Sequence, residues 1–418
     1  MSRRLIPYED RHWRTLRPLT DTLCVPALAF GASDLARRWI ARAGMPLLAI
    51  EARASVMSCW YHAPVRDTAT IGGDDEAVVV NAAAIPGPWF EHALGGHSPA
   101  LFLGAGRIAG ARLPLAMLRG ALGRGEEFEA VLLGLALPAL VVDATFLDYP
   151  WQLIEWNAQA IAEDLSAMTP ARLGQVHPLA CLEAPERIAI AEGASVGAFA
   201  VLDAREGPIL VGKGATIAPH TCVTGPCVIG PGTQLLGGFV SGSTFGPQCR
   251  IAGEVESSIW QGYGNKRHHG FVGHSVFGEW VNLGALTTTS DLKNNYGHVR
   301  VHVDGVEVDS RSGKVGSIVG AHVKTGIGTL LPTGASVGVG ANLFAGGQFC
   351  PKAVPSFAWW DGQAMATHDI GKFVATARIV CGRRGRIFTP QDEAACRGLF
   401  LSTASERRPK TPAREGTS

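Results

Sequence analysis

The sequence predicts two domains of different construction, an α/β domain followed by a left-handed parallel β-helix with a hairpin excursion. Three observations lead to this prediction. The length of 418 residues exceeds the usual size of a single core. The 52 glycines fall mostly after Ala194, and aliphatic residues recur every six positions in that second half. We expect the two domains at residues 1–175 and 176–362, with a helical appendix and tail at 363–418.

The first domain mixes short apolar strands with helix-like runs, which is typical of an α/β fold. The strands are indicated by PLLAIEA and EAVVVN, and the helices by ASDLARRWIARAG and WQLIEWNAQAIAEDL. The longest apolar run, residues 130–142, is too short to span a bilayer and contains Pro138, so we interpret it as part of the core. The charged start MSRRLIPYED lacks an apolar signal segment, and we therefore expect a cytoplasmic protein.

Composition and charge exclude several classes of partner. The formal net charge is +1 and 46% of the residues are hydrophobic, so nothing indicates a nucleic-acid or anionic-membrane partner. Nine cysteines without a C-x-x-C pattern argue against a disulfide framework and against a zinc site. The histidines of the second half have spacings that fit no standard set of metal ligands, so no metal site is predicted.

The second half repeats every six residues. One series of aliphatic residues is Val211, Ile217, Val223, Ile229 and Leu235. A second series in the same phase runs from Val319 to Phe349. A period of six is neither that of a helix nor that of a simple strand, and it is the hexapeptide signature of a parallel β-helix. Each hexad forms one face of a coil and points its aliphatic residue inward, so neighbouring coils bury each other's aliphatic stacks.

A polar stretch at residues 265–297, NKRHHGFVGHSVFGEWVNLGALTTTSDLKNNYG, interrupts this repeat. The segment that follows, HVRVHVDGVEVDS, alternates around Asp304-Gly305, which is a strong two-residue hairpin signal. We predict a hairpin arm that leaves the β-helix after Tyr296 and returns at Val319. Such an arm cannot bury much surface alone, so we expect it to lie against a neighbouring subunit or over a site.

The C-terminal appendix is predicted to be helical. In TPQDEAACRGLFLS, Thr389 stands as N-cap, Pro390 at the first helical position and Asp392 in a capping-box position. The preceding DIGKFVATARIVCGRR also has a helical pattern. The last residues, SERRPKTPAREGTS, are expected to be disordered because they are polar and rich in proline and charge.

The polar stretch resembles the acetyltransferase half of the bifunctional GlmU enzymes, and still more closely the GlmU-like sugar nucleotidyltransferase family with a hexapeptide β-helix. GHSVF matches the family's Gly-His-x-x-Tyr, NLGALT its Asn-Ile-Gly-Ala-Gly-Thr, and NNYG its Cys-Asn-Tyr-Asp-Gly. The resemblance covers about residues 180–360. It implies an acyl-CoA-dependent acyltransferase, with N-acetyl transfer to an amino sugar or a nucleotide-linked sugar. It also implies a homotrimer whose sites form between subunits.

The resemblance assigns roles residue by residue. His274 becomes the general base that takes a proton from an attacking amine, which suits histidine because imidazole can accept and release a proton near neutral pH. The alternative is a corner histidine with satisfied hydrogen bonds. Asn282 would contact the sugar. The residues that would line the site for acetyl-CoA or another acyl-CoA are Ala285, Asn295 and Tyr296. The candidates for binding phosphates, with solvated edge charges as the alternative, are Lys266, Arg267, Lys293 and Lys324.

Three departures from the family pattern predict a different acceptor pocket. Phe277 replaces the tyrosine three residues after the base, which removes a hydroxyl. Ile327 stands where the family has a serine at the CoA wall. Only eight residues separate His274 from Asn282, six fewer than in GlmU.

In the first domain, LRPLTDTLCVPALAFG (residues 16–31) resembles the signature of sugar-1-phosphate nucleotidyltransferases, Gly-x-Gly-Thr-Arg-Leu-x-Pro-Leu-Thr followed by Pro-Lys-Pro. The glycine loop is missing, Thr15 replaces the arginine and Val25 the lysine that neutralise the charge developing in transfer. We therefore expect a degenerate nucleotidyltransferase-like domain that binds a nucleotide sugar or supports oligomerisation, with Mg²⁺ needed only if the domain is active. The alternatives to acyl transfer are sugar-1-phosphate nucleotidyl transfer and a non-catalytic trimeric sugar-nucleotide-binding protein.

Overall fold

The computed structural model describes residues 2–57, 75–168, 170–344 and 346–407. These residues form an α/β domain, a parallel β-helix and a helical appendix, which confirms the predicted fold class. Among the described helices, none combines the length and the apolar composition that a bilayer crossing requires.

The N-terminal domain is built on a mixed five-stranded sheet. Its strands lie in the spatial order Arg3–Tyr8, Glu76–Asn81, Arg107–Pro114, Ala100–Gly104 and Ala139–Val141. The helices are α1 (Leu35–Ala43), α2 (Ala54–Met57), α3 (Pro88–Gly95), α4 (Phe128–Gly134) and α5 (Pro150–Leu165). A small hairpin joins Ala29–Phe30 to Ser33–Asp34. The 3-10 helices of the chain are Arg11–Leu16, Leu19–Asp21, Val25–Ala27, Leu115–Leu118, Gly125–Glu127, Pro185–Arg187 and Ala404–Arg407.

Both faces of the interior strand Glu76–Asn81 are covered, which explains its continuous apolar run. Val79 packs into the core on one side of the sheet and Val78 into the core on the other. The interpretation of residues 130–142 as core is wrong for its second half. Ala139–Val141 is an edge strand, and Val141 is 91% exposed.

The β-helix has three faces. Face 1 is a nine-stranded parallel sheet of Ile188–Ile190, Ile209–Val211, Cys227–Ile229, Thr244–Phe245, Ile259–Trp260, Val276–Phe277, Ile318–Val319, Ser336–Val337 and Ala353–Val354. Face 2 holds Gln175–Val176, Ser195–Val196, Thr216–Ile217, Asn265–Lys266, Lys324–Thr325, Asn342–Leu343 and Ala358–Trp360. Face 3 holds Cys181–Glu183, Val201–Asp203, Thr221–Thr224, Phe271–Gly273, Thr288–Thr289 and Leu330–Leu331. Two long strands, Gln234–Ser241 and Arg250–Glu256, bend from face 2 to face 3, and Met365–Thr367 pairs antiparallel at the end of face 2.

The register confirms the hexapeptide repeat. Ile217 pairs with Leu235 and Val319 with Val337, in both cases three hexads further along the chain. These residues are buried in one continuous stack inside the coil. Phe349, which was counted in the second series, is instead 61% exposed, and the neighbouring Cys350 fills the interior.

The N-terminal domain covers face 1. Ile259, Val276 and Ile318, whose side chains point outward from this face, are completely buried in a core shared with that domain. Asn157 of α5 donates a hydrogen bond to Thr244 Oγ1 at 3.1 Å. The two domains therefore form one packed unit within the chain.

The predicted hairpin is present, with Arg300–Val303 pairing antiparallel with Val306–Asp309 around Asp304-Gly305. Its location differs from the expectation. Val301 and Val303 are buried in the core shared with the N-terminal domain of the same chain. The alternating valines give the arm an apolar side, and that side packs on residues of its own subunit.

Arg17 contacts both the hairpin tip and the 3-10 turn Ala404–Arg407. Its guanidinium donates to Asp21 at 2.7 Å, to Asp304 at the hairpin tip at 2.5 Å and to Glu406 at 3.0 Å. Three separate segments of the chain therefore meet at one largely buried cation.

The appendix consists of α6 (Ile370–Gly382) and α7 (Pro390–Ser402). The predicted capping box is present, because Asp392 N donates to Thr389 Oγ1 at 3.2 Å and Thr389 N donates to Asp392 Oδ2 at 2.8 Å. Helix α6 packs on an aromatic corner of the β-helix that includes Trp280 and Phe357. The tail expected to be disordered begins with an ordered 3-10 turn, and residues 408–418 lie outside the described part of the chain.

Candidate functional site

His274 lies at the corner that joins face 3 to face 1, directly after Phe271–Gly273. Its φ of +44° is in the left-handed region, which turns the chain sharply. The corner is held on both sides, since His274 N donates to Glu256 O at 3.1 Å and His274 O accepts from Gly316 N at 2.8 Å. The backbone of this corner is therefore fixed by the coils below and above it.

The imidazole of His274 is paired with the carboxylate of Asp291. His274 Nδ1 and Asp291 Oδ2 are 2.7 Å apart, and the two side chains are 17% and 13% exposed. An ionised carboxylate can only accept, so Nδ1 carries the proton and Nε2 of the neutral ring is left as the acceptor. The carboxylate of Asp291 therefore sets which nitrogen of the ring can accept a proton.

Asp291 remains ionised because of its partner. Burial alone would raise the pKa of this carboxyl, but the hydrogen bond from His274, the charge that the imidazole carries once it is protonated, and the charge of Lys314 together outweigh burial and lower the pKa. Lys314 also lies 3.8 Å from Glu256 at the rim of the same corner.

Gly273 is needed for this contact. A Cβ on Gly273 would lie 2.4 Å from Asp291 Oδ2 and 2.5 Å from the ring of Phe271. The small residue before the base therefore allows the carboxylate to reach Nδ1.

Asp291 was not predicted from the sequence, although a signal for it exists. Asn265 and Asn282 pair across adjacent coils and are 17 residues apart, as are His274 and Asp291. The coil at this point is one residue shorter than three hexads, which places Asp291 above His274.

Asn282 does not lie beside His274 in the same chain. It is on face 2, where it bridges Asn265 and Lys324. His274 follows face 3, so the two residues lie on different faces of the coil.

Asn282, Arg267 and Lys324 line a cavity of about 510 Å³ between face 2 and the appendix. Asn282 Oδ1 accepts a hydrogen bond from Asn265 Nδ2 at 2.7 Å, and Lys324 Nζ donates to His322 O at 3.2 Å. The structure thus brings three of the predicted binding residues together in this cavity, and His274 is not among its lining residues.

Lys266 is not part of this cavity. Its side chain is inside the coil, where Nζ donates to Ala252 O at 2.7 Å and to His268 O at 3.0 Å, and burial lowers its pKa to about 8. The expectation that it binds phosphate does not match this interior position.

The remaining predicted residues lie in the corner and loop after face 2. Ala285 is at the corner between faces 2 and 3, where its carbonyl accepts from Gly328 N. Lys293 Nζ donates to His298 O at 2.6 Å, Asn295 Oδ1 accepts from Gly297 N at 3.1 Å, and Tyr296 is 77% exposed. The last three of these residues follow Asp291 closely in the chain, so they lie at the same end of the excursion as the His274–Asp291 pair.

Phe277 does not face the site. It is fully buried in the coil and stacks on Trp260 with ring centroids 4.1 Å apart. The missing hydroxyl is therefore a feature of the core, and the expected effect on the acceptor pocket does not apply in this chain. Ile327, by contrast, is 73% exposed.

In the N-terminal domain, internal ion pairs lie directly after the first strand. Glu9 follows the first strand and accepts from Val25 N at 2.7 Å and from Arg53 Nε at 2.6 Å. Asp10 pairs with Arg107 at 2.8 Å and caps the 3-10 helix Arg11–Leu16. Within the described ranges, no group of three or more histidine, cysteine or acidic side chains is placed to hold a metal ion.

The fold is that of a class of proteins in which a nucleotidyltransferase-like domain precedes a hexapeptide β-helix. Residues 5–172 match the family model described as sugar nucleotidyl transferase. The comparisons also confirm the resemblance of the chain to the GlmU-like family.

The curated relatives are bifunctional enzymes. The chain is 34% identical over 93 residues to the bifunctional sugar-1-phosphate nucleotidylyltransferase/acetyltransferase of Sulfurisphaera tokodaii, which covers 22% of this chain and 23% of the relative. It is 28% identical over 269 residues to the bifunctional protein GlmU of Azoarcus sp., covering 54% and 56%. The chain thus spans between about a quarter and about half of the length of these relatives. Among solved structures, a UDP-N-acetylglucosamine acyltransferase from Campylobacter jejuni overlaps 56% of this chain and 92% of its own, at 11% identity and a TM-score of 0.26.

Proposed function

We propose that the protein is an acyl-CoA-dependent acyltransferase that acts on the amine of an amino sugar or a nucleotide-linked sugar, with acetyl as the simplest acyl group. The observation that carries this proposal is the His274–Asp291 pair, a histidine whose free nitrogen is set by a buried hydrogen bond of 2.7 Å. The names of the bifunctional relatives, which include an acetyltransferase, support the same reaction class.

His274 acts as the base in this mechanism. Nε2 accepts a proton from the amine while the amine nitrogen attacks the thioester carbonyl, so that a C–N bond forms. The C–S bond then breaks, and the departing thiolate of CoA takes the proton from the imidazolium. Asp291 stabilises the imidazolium that exists between these two transfers.

The site is completed by a second protomer in this proposal. His274 and Asn282 lie on different faces of one coil, so a site that contains both would take them from two subunits of a homotrimer. Ala285, Asn295 and Tyr296 would line the acyl-CoA site, and Arg267, Lys293 and Lys324 would contact phosphates of the donor or acceptor. An acyl-CoA donor would place the reaction in the cytoplasm.

The N-terminal domain is proposed to support the β-helix rather than to transfer nucleotides. Thr15 and Val25 replace the two cations of the signature, and the Glu9–Arg53 pair occupies the region after the first strand. Loss of two contacts that stabilise developing charge costs several powers of ten in rate, by about 10²–10³ for each. The proposal therefore includes no Mg²⁺-dependent step.

The test combines turnover with thermal stability. Wild type, His274→Gln and the control His298→Gln are incubated with acetyl-CoA and, separately, glucosamine 1-phosphate or UDP-glucosamine, and acetylated product is quantified by mass spectrometry. We expect acetyl-CoA to raise the melting temperature of all three proteins, because it binds the native state, and only His274→Gln to lose turnover. The control removes a histidine on the exposed hairpin that also faces a carboxylate, at 3.6 Å. Stabilisation by UTP or UDP-sugars alone, without product, would contradict the proposal.

A further inference from the structure

The cavity between face 2 and α6 concentrates positive charge. Five cationic side chains line its volume of about 510 Å³: Arg250, Arg267, Lys324, Arg383 and Arg384. No carboxylate is among its lining residues, and none of the five is within ion-pair distance of a carboxylate in the part of the chain that the structure describes. Like charges held together without counter-charges destabilise a fold, so the cavity has the electrostatics of an anion site.

The arginines are close enough to affect one another. Burial, with Arg384 and Arg267, lowers the pKa of Arg250, and burial, with Arg383 and Arg267, lowers the pKa of Arg384. Burial also lowers the pKa of Lys324 to about 8. A bound anion would offset this repulsion and favour the charged form of each group.

Several of these groups are held in place by the protein. Arg250 Nη1 donates to the carbonyl oxygens of Gly232, Gln248 and Cys249 at 3.0, 3.1 and 2.9 Å. The buried Nε of Arg384 has no hydrogen-bond partner among the described residues. The cavity wall therefore contains a fixed guanidinium and an unsatisfied donor.

The end of α6 accounts for only part of this charge. Arg383 and Arg384 directly follow the last residue of the helix, where cations interact favourably with the helix dipole. Arg250 and Arg267 reach the same cavity from the β-helix, so the helix dipole does not explain why they are there. Two distant parts of the chain supply cations to one volume.

We propose that this cavity binds a ligand with two linked phosphate groups, a nucleoside diphosphate or the diphosphate of CoA, and that Arg383 and Arg384 of the appendix complete the site. A single phosphate offers three free oxygens, and a bidentate arginine uses two of them. Four arginines and one lysine, supplied from both the β-helix and the appendix, offer more positive charge than one phosphate carries, and two linked phosphates can reach both groups at once. The inference rests on the proposed function in one respect only, namely whether the bound ligand is the acyl-CoA donor or the nucleotide-linked sugar acceptor.

The test uses pyrophosphate and inorganic phosphate as probes in isothermal titration calorimetry at low ionic strength. The proteins are wild type, the double variant Arg383→Gln/Arg384→Gln, the single variant Arg267→Gln on face 2, and Lys372→Gln as a control on the first turn of α6, away from the cavity. We expect wild type and control to bind pyrophosphate at least about tenfold more tightly than phosphate. Each cavity variant should weaken pyrophosphate binding by about ten- to a hundredfold, since charged hydrogen bonds are lost. Equal binding of both probes, or wild-type affinity in the double variant, would overturn the inference.

Two further titrations keep this inference separate from the proposed function. UDP and CoA are compared as ligands. Binding of either one that is lost in the arginine variants supports the site. Binding of UDP would identify the ligand as the acceptor, and binding of CoA would identify it as the donor. His274→Gln should bind pyrophosphate as wild type does. If no acyl transfer is found and pyrophosphate still binds through Arg383 and Arg384, the acyltransferase proposal fails and the diphosphate site stands.

Discussion

Asp291→Asn should separate the orientation of His274 from its chemistry. The carboxylate fixes the proton on Nδ1 through a hydrogen bond of 2.7 Å between largely buried groups. An asparagine amide can instead donate to Nδ1, which moves the ring proton to Nε2, the atom that must accept a proton from the amine. A hydrogen bond to a charged group contributes about 1.5–3 kcal/mol, which corresponds to about a ten- to hundredfold loss in kcat.

The loss should be smaller than that of His274→Gln, because removal of a general base costs about 10²–10⁴ in rate. Initial rates are best measured from acetylated product by mass spectrometry, because the exposed Cys181 would react with thiol reagents. KM for acetyl-CoA should not change. Asp309→Asn is the matched control, since Asp309 faces His298 at 3.6 Å on the exposed hairpin. A wild-type kcat in Asp291→Asn, alongside an inactive His274→Gln, would refute the orienting role of Asp291.

Three other perturbations test the contact of Gly273 with the pair, the interior of the coil and a partly buried carboxyl. Gly273→Ala should lower kcat about as much as Asp291→Asn with the β-sheet circular dichroism unchanged, because the new Cβ would lie 2.4 Å from the carboxylate. Trp260→Ala should destabilise the fold by about 3–5 kcal/mol in urea unfolding, because this buried ring stacks on Phe277 at 4.1 Å. Burial raises the pKa of Glu279 to about 8, so its contribution to stability is present below about pH 4.3 and is lost as the pH rises towards 8. Glu279→Gln should therefore flatten the decline of the urea midpoint between pH 5 and pH 8, and an unchanged slope would count against a protonated, partly buried Glu279.

The parts of the fold that depend on local sequence could be predicted. The hexads give the coil directly, since each places one aliphatic residue inside. The hairpin followed from Asp304-Gly305, whose turn geometry suits the twist of paired strands. The start of α7 followed from Thr389 and Asp392, which bond each other's backbone.

The partner of His274 could not be predicted from the ideal repeat, because the coils are not uniform. Thr244 pairs with Ile259, a step shorter than three hexads, whereas Ile188 pairs with Ile209, a step longer than three hexads. A coil of three full hexads would place Leu292 above His274. The real step is one residue shorter and places Asp291 there.

Side-chain alternation along a strand explains why one basic residue lies inside the coil and the next one lies at the cavity. Lys266 pairs with Ile251, an interior position, so its side chain points into the coil. Arg267 is the next residue and points outward to the cavity. Arg383 and Arg384 directly follow helix α6, and a repeat pattern contains no information about which face of the coil a later helix covers.

Because one hexad forms one face, the number of hexads in a coil determines on which face of the β-helix each later residue lies. Adding or removing six residues in a coil turns everything that follows by about a third of a revolution around the axis, while the aliphatic stack stays in phase. A globular core would be disrupted by an insertion of that size, because its packing is close to that of a crystal. Asn282 and His274 lie on different faces, and one such step between them would change which faces they share. In a β-helix, a short deletion can therefore move a binding residue to a different face, where it contacts different residues, although the residue itself is unchanged.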